Sequence, residues 1–330
     1  MRYKCLAVIA IHAILSVGAA ASELREIKPI ALGAYYPADR QTLEAAVAKY
    51  VTEADVPEPP GPCAACIVPH APYATSGAIA AAAFKYMKPE DYDRVIVLAA
   101  AHNSQFPGCS IPSAQIAITP LSVVPLDTVM MRVLDRSPLI EVRSLDYKRR
   151  LSRPQLHERE TTVEVVLPFL QHQLKSFSLI PILVGDFVDY SGGLDSKALD
   201  AVAETIREQM DERTLIVVSS DFTHYGNNFG YRPFTDNIPE NIEALDRKAF
   251  ELILARDIKG FERYLAETES SICGKNAIAL MLRLLPKNVE GRLLNYDFSA
   301  RRTGETKSSV SYASLAFYRK PKAVKQTETP

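Results

Sequence analysis

Strand-like apolar runs that alternate with helix-period stretches predict an α/β sandwich with a mostly parallel central sheet, built as a single domain. Three observations carry this prediction. The runs Ala64–Val68, Arg94–Ala101, Leu179–Val184 and Leu215–Ser219 are nearly continuously apolar, as expected for strands covered on both faces. Between them lie stretches whose apolar residues recur at helical spacing. No internal repeat and no Gly/Ser-rich linker divides the chain, so strand–helix alternation runs through one unit.

The elements follow in chain order. Arg2 and Lys4 precede an apolar stretch, Cys5–Val17, broken only by His12 and Ser16, and Ala19, Ala20 and Ala21 then supply small residues. This pattern predicts a secretory signal, residues 1–21, cut after Ala21. At about 13 positions it is short for a membrane span, and no later stretch is long and apolar enough to be one. Export to the periplasm or the medium is therefore expected, with the net charge falling from −1 toward −3 as Arg2 and Lys4 leave. Leu43, Val47, Tyr50 and Val51 predict a helix, as do Ser76–Met87, Thr162–Leu174, Leu199–Met210, Ile242–Ala255 and Cys273–Leu285. Two further strands are read at Arg292–Phe298 and Val310–Tyr318. The domain is placed at residues 22–319, and residues 320–330, polar and without periodicity, read as a loose tail.

Composition removes several function classes. The chain of 330 residues carries 38 Lys+Arg against 39 Asp+Glu, so the basic footprint of a nucleic-acid partner is missing. Its 14 glycines form neither GxGxxG nor a Walker lysine loop, which argues against nucleotide cradles. Four cysteines follow the signal, too few for a disulfide-built fold. In an oxidising compartment Cys63 and Cys66 could pair; the alternative is two small buried residues at a strand start.

Three histidines sit just beyond apolar strands, where α/β proteins place their chemistry. His70 follows the first run, His102 the second, and His224 follows Leu215–Ser219 within Ser219-Ser220-Asp221-Phe222-Thr223-His224. If these strands are parallel neighbours, the imidazoles converge on one edge of the sheet, and converging imidazoles beside a carboxylate or thiolate make a metal-site pattern. Exposed or hydrogen-bonded histidines without a metal are the alternative. His157, before the Glu158-Arg159-Glu160 charge run, reads as solvated. His172 reads as a helix-end cation, and Glu164 as a charge on a helix surface or a group behind the site. Tyr73 and Tyr225 wall a pocket or belong to the aromatic core.

At these same residues the sequence resembles the Memo family, including its bacterial branch, the AmmeMemoRadiSam system protein B. The resemblance runs through Tyr36-Pro37-Ala38-Asp39, Val68-Pro69-His70-Ala71-Pro72-Tyr73 with Ser76-Gly77, Val97-Leu98 to His102 and Cys109, and Glu164 with Leu167-Pro168. It continues through Pro181 to Gly185, Val218 to Gly226, Ile272-Cys273-Gly274-Lys275 and Ser308 to Ser314. Memo proteins look like class III extradiol dioxygenases of the LigB type. The resemblance therefore implies an α/β fold around a metal pocket, with His70 and His102 as imidazole ligands, Cys273 as thiolate, and Asp221 and His224 lining the pocket. One transition metal, iron or copper with zinc as a third choice, is implied.

The chemistry of the residues agrees. Two imidazoles and a thiolate form a soft donor set with a position left open. The pattern places Cys273 at the opening of a helix, which favours the thiolate, and Gly274 permits close backbone approach. His224 can accept a proton, with Asp221 orienting its ring; a turn or N-cap carboxylate is the other reading of Asp221. The implied activity is oxidoreductase-like, acting on a small molecule in the metal cleft. The alternatives are a non-catalytic metal or peptide binder using the same cleft, as animal Memo proteins are thought to do, and a metal-free remnant.

Some positions depart from the family. Pro72 stands where the family has Gly, removing an N–H. Ala99, Ala100 and Ala101 replace a proline- and serine-bearing approach to His102, Asn103 replaces a further histidine, and Thr161 replaces a helix histidine. These changes keep the expected ligands and strip polar groups around them, so they bear on the reaction more than on the metal. Export would also separate the chain from a cytosolic radical partner.

Overall fold

The computed structural model describes residues 24–144, 154–190 and 192–321. The expected signal lies outside them, as does the expected tail beyond Pro321. Its strands in chain order are β1 (Glu26–Ile27), β2 (Cys63–Val68), β3 (Arg94–Ala100), β4 (Cys109–Ile111), β5 (Ile116–Ile118), β6 (Val123–Pro125), β7 (Ile140–Val142), β8 (Ser178–Val184), β9 (Thr214–Ser219), β10 (His224–Gly226), β11 (Val289–Phe298) and β12 (Ser308–Arg319). The helices are α1 (Arg40–Glu53), α2 (Tyr73–Phe84), α3 (Thr128–Leu134), α4 (Leu167–Leu174), α5 (Ser196–Arg207), α6 (Ile238–Leu254), α7 (Ile258–Thr268), α8 (Lys275–Leu284) and α9 (Ser299–Thr303).

The main sheet runs β10-β12-β2-β9-β3-β8-β4-β7, with β11 on β12. Its centre, β2-β9-β3-β8, is parallel throughout. Every residue of β2 and β9 is buried, so both faces are covered, and each large apolar side chain there contributes about 1.5–3 kcal/mol. Helix α8 lies on β3 and β9 with α5 and α7 against it, while α2 lies on β2 and β12 with α1 and α4 beside it. A small second sheet, β1-β5-β6, is hydrogen-bonded separately and meets the main sheet at β8. One apolar cluster runs from Ala31 to Tyr318.

Aspartates start several helices. Asp39, Asp127, Asp195 and Asp257 each accept a backbone N–H three residues on, which satisfies a donor the helix itself leaves open.

The α/β fold class with a mostly parallel sheet agrees with the sequence. The two C-terminal strands differ in setting: β11 and β12 form a long antiparallel pair, and β12 also pairs antiparallel with β2 at Leu315↔Ile67. Most residues of β11 are only partly buried, because it is the outer member of that pair. The helix expected over Thr162–Leu174 begins later, with a tight turn at Glu164–Val166 leading into α4. Thr162 instead turns inward, donating its hydroxyl to Ala100 O at 2.9 Å. Cys63 and Cys66 are both buried free thiols.

Candidate metal centre

The parallel order β2-β9-β3 brings the site together. His70, Asp221 and His102 each lie two residues past the ends of β2, β9 and β3 respectively. The three strand ends are neighbours, so residues 151 apart in sequence become contacts: His70 N–H donates to Asp221 Oδ1 at 3.0 Å. Cys273 arrives from the other direction, just ahead of α8, whose N-cap is Gly274. It therefore precedes the helix rather than opening it. The close approach depends on Gly274. Its N–H donates to Ser220 Oγ at 2.9 Å, and a Cβ there would lie 2.4 Å from Ser220 Cβ.

His70, His102 and Cys273 form the cluster. One ligand atom from each lies within 4.8 Å of the other two. Cys273 Sγ stands 3.3 Å from His70 Nε2, and the two rings meet edge to face at 5.1 Å. The sulfur also accepts from Asp221 N–H at 3.1 Å.

Each imidazole has its tautomer set from behind. Ser219 Oγ donates to Thr162 O at 2.6 Å, so it accepts from His70 Nδ1–H at 2.9 Å. His102 Nδ1 lies 3.3 Å from Glu160 Oε1, and the His102 backbone N–H donates to Oε2 of the same carboxylate at 2.6 Å. Both rings thus carry the proton on Nδ1 and turn Nε2 toward the cluster. This is the orienting arrangement that metal-binding histidines use.

Electrostatics reinforce the geometry. Burial opposes the Cys273 thiolate, but the adjacent His70 charge and hydrogen bonds with both rings bring the thiol down to about 6. The hydrogen bond to Cys273, then that to Glu160, raises His102 to about 10. Burial works against the Glu160 charge, yet its bond to the His102 ring holds it below the usual carboxylate range. Burial lifts Asp221 to about 6 against the pull of His224. In the metal-free state this is a thiolate facing protonated imidazole, and a soft cation can take the place of the proton between them.

His224 lies in β10 at the edge of the cluster. Its Nδ1 meets Phe222 O at 2.9 Å, so a backbone carbonyl, and not Asp221 as expected, orients the ring. Its backbone N–H donates to Ser271 Oγ, and Phe229 packs edge to face on it at 5.0 Å. The turn before it is fixed by buried Asp246, which accepts from Thr223 N–H, Thr223 Oγ1 and Tyr296 Oη.

Two other expectations change. His157 is buried, with Nε2 against Ser110 O at 3.0 Å, and burial drives it down to about 4. Glu164 is buried too: it accepts from Ile30 and Ala31 N–H and from Tyr36 Oη. Tyr73 and Tyr225 take the second of their two expected places, the aromatic core: Tyr73 lies tilted against Phe169, Tyr225 stacks on Phe234, and both hydroxyls donate to backbone carbonyls. Sequence reasoning counts Glu160 only as part of a charge run and gives it no role at the site, although His157 three residues away was the available sign.

The molecule is therefore an α/β protein with a two-histidine, one-cysteine cluster that could hold a metal ion at the C-terminal end of its parallel strands. The family model described as Memo-like protein matches residues 28–316, and the chain belongs to that family. Human Protein MEMO1 is 30% identical over 301 residues, covering 86% of this chain and 94% of that protein. Protein memo-1 homolog of Caenorhabditis elegans is 29% identical over 303 residues, covering 88% and 81%. A solved structure of an uncharacterized Escherichia coli K12 protein, JW3007, aligns with 68% of this chain and 86% of its own at TM-score 0.37 and 9% identity, a likeness too remote to bear on function.

Proposed function

We propose that this protein binds one transition metal, iron or copper before zinc, through His70 Nε2, His102 Nε2 and Cys273 Sγ, and uses it as a dioxygenase-like oxidoreductase. The observation that carries the reading is the convergence of two Nδ1-protonated imidazoles and one acidified thiol on a common point. Bound there, such an ion supplies redox and Lewis-acid chemistry with a coordination position left over. The chain's own residues do the rest. Ser219 and Glu160 hold the rings. Asp221 fixes the His70 backbone, and His224 moves a proton between its Nε2 and a small-molecule substrate in the cleft.

A second reading is a non-catalytic metal or peptide binder. It is favoured by the His102 side chain, 44% exposed, and by the exposed Phe229 on His224, which make the cluster approachable. We also propose export, resting on the N-terminal sequence pattern. N-terminal sequencing of protein from its native compartment should begin at Ser22; a chain retaining Met1 would reverse this.

The test is elemental analysis with electron paramagnetic resonance on purified protein. About one transition metal per chain is expected, lost in Cys273→Ser and His70→Ala. Normal metal in both variants ends the assignment. His224→Ala should keep the metal and lose any oxidative turnover, whereas a pure binder shows no turnover to lose.

A further inference from the structure

A cavity of about 730 Å³ lies at the other end of the sheet, where β2 and β9 begin and β12 ends. We propose that it binds an amphipathic carboxylate, a single anionic head on an alkyl or aryl body. The floor is apolar: Met210, Leu284, Leu285 and Pro286 line it, and Leu284 is itself core. The cation at its inner wall is Arg319. The guanidinium donates to Cys63 O and Thr214 O, each at 3.2 Å, which uses two of its five N–H groups. Among the described residues no carboxylate stands within ion-pair distance of it. A part-buried cation fixed only by neutral carbonyls is incompletely compensated, and an anion is the partner that completes it.

Lys287 and Lys320 stand exposed on the rim, also without an ion pair among the described residues. The other charges of the lining are engaged: Arg283 with Asp200 and Glu262, Arg207 with Glu204, and Asp211 with Thr214 and Arg94. Glu212 also has its own interaction. What remains is an apolar floor under a positive rim, which selects a monoanion with a hydrophobic body over a neutral alcohol or an amine. The site stands independently of the metal cluster, since the length of the strands separates them.

The test is isothermal titration calorimetry of the full chain with decanoate, and with decanol, decylammonium and inorganic phosphate as comparators. Saturable binding of decanoate, one per chain, is expected, with the comparators at least about tenfold weaker. The exposed double variant Lys287→Glu/Lys320→Glu, which disturbs no buried contact, should weaken decanoate at least about tenfold. Arg319→Gln should weaken it further, provided its thermal unfolding matches the parent. Cys273→Ser should leave decanoate binding unchanged. Decylammonium binding as well as decanoate, indifference to the double charge reversal, or loss in Cys273→Ser would each overturn the proposal.

Discussion

The two imidazoles of the cluster are held by different means. Behind His70 stands an uncharged chain, Ser219 to Thr162 O, and the ring is buried. Behind His102 stands a buried carboxylate, Glu160, and the ring is 44% exposed. The first arrangement fixes a ring through an uncharged hydrogen-bond chain in a dry pocket. The second offers a charge to a ring that solvent can reach. The difference teaches that one arm sets position while the other tunes basicity at the mouth.

The strongest way to break this comparison is to remove the rings. His70→Ala should abolish stoichiometric metal, because it removes the buried ligand that the Ser219 hydroxyl holds in place. His102→Ala should leave a site weakened about 100-fold, with water replacing the exposed ring. Metal titration against a chelator reads both, and equal losses would erase the distinction.

The charged backing of His102 extends to His157, a buried neutral histidine. Its folded-state value of about 4 lies below the ordinary 6.5, so the unfolded chain takes up the proton first. Its contribution is complete above pH 6.5 and declines as pH falls toward 4, by on the order of 3 kcal/mol. Urea unfolding across that window should show the decline, and His157→Gln should flatten it.

Glu160→Gln, keeping shape and removing charge, should weaken metal retention about 10–100-fold. Ser219→Ala should cost less, about tenfold or under, since a neutral hydrogen bond contributes about 1 kcal/mol. If Ser219→Ala matched Glu160→Gln, the carboxylate would have no special role.

The parallel centre was legible because β2, β3, β8 and β9 are apolar on both faces, and continuous apolar runs have few other uses. Helix α7 was passed over although Asp257 caps it and Phe261, Tyr264 and Leu265 face inward, because charged residues fill its remaining turns. The cluster was legible in part. Strand ends located His70 and His102, and motif resemblance located Cys273, which spacing alone could not. His157, Glu160 and Glu164 resisted reading for one reason. A charged side chain is buried only where distant groups meet it, as Ile30 and Ala31 N–H meet Glu164, and no local pattern records such a meeting.

His70 and Cys273 are 203 residues apart along the polymer, and β12, which seals the edge of β2, is the last strand in the described chain. A growing polypeptide on the ribosome holds the first half of the cluster long before the second exists. Its ligands can close on a common point only after Cys273 itself has been made, so a product truncated or stalled before that residue has no complete centre to load.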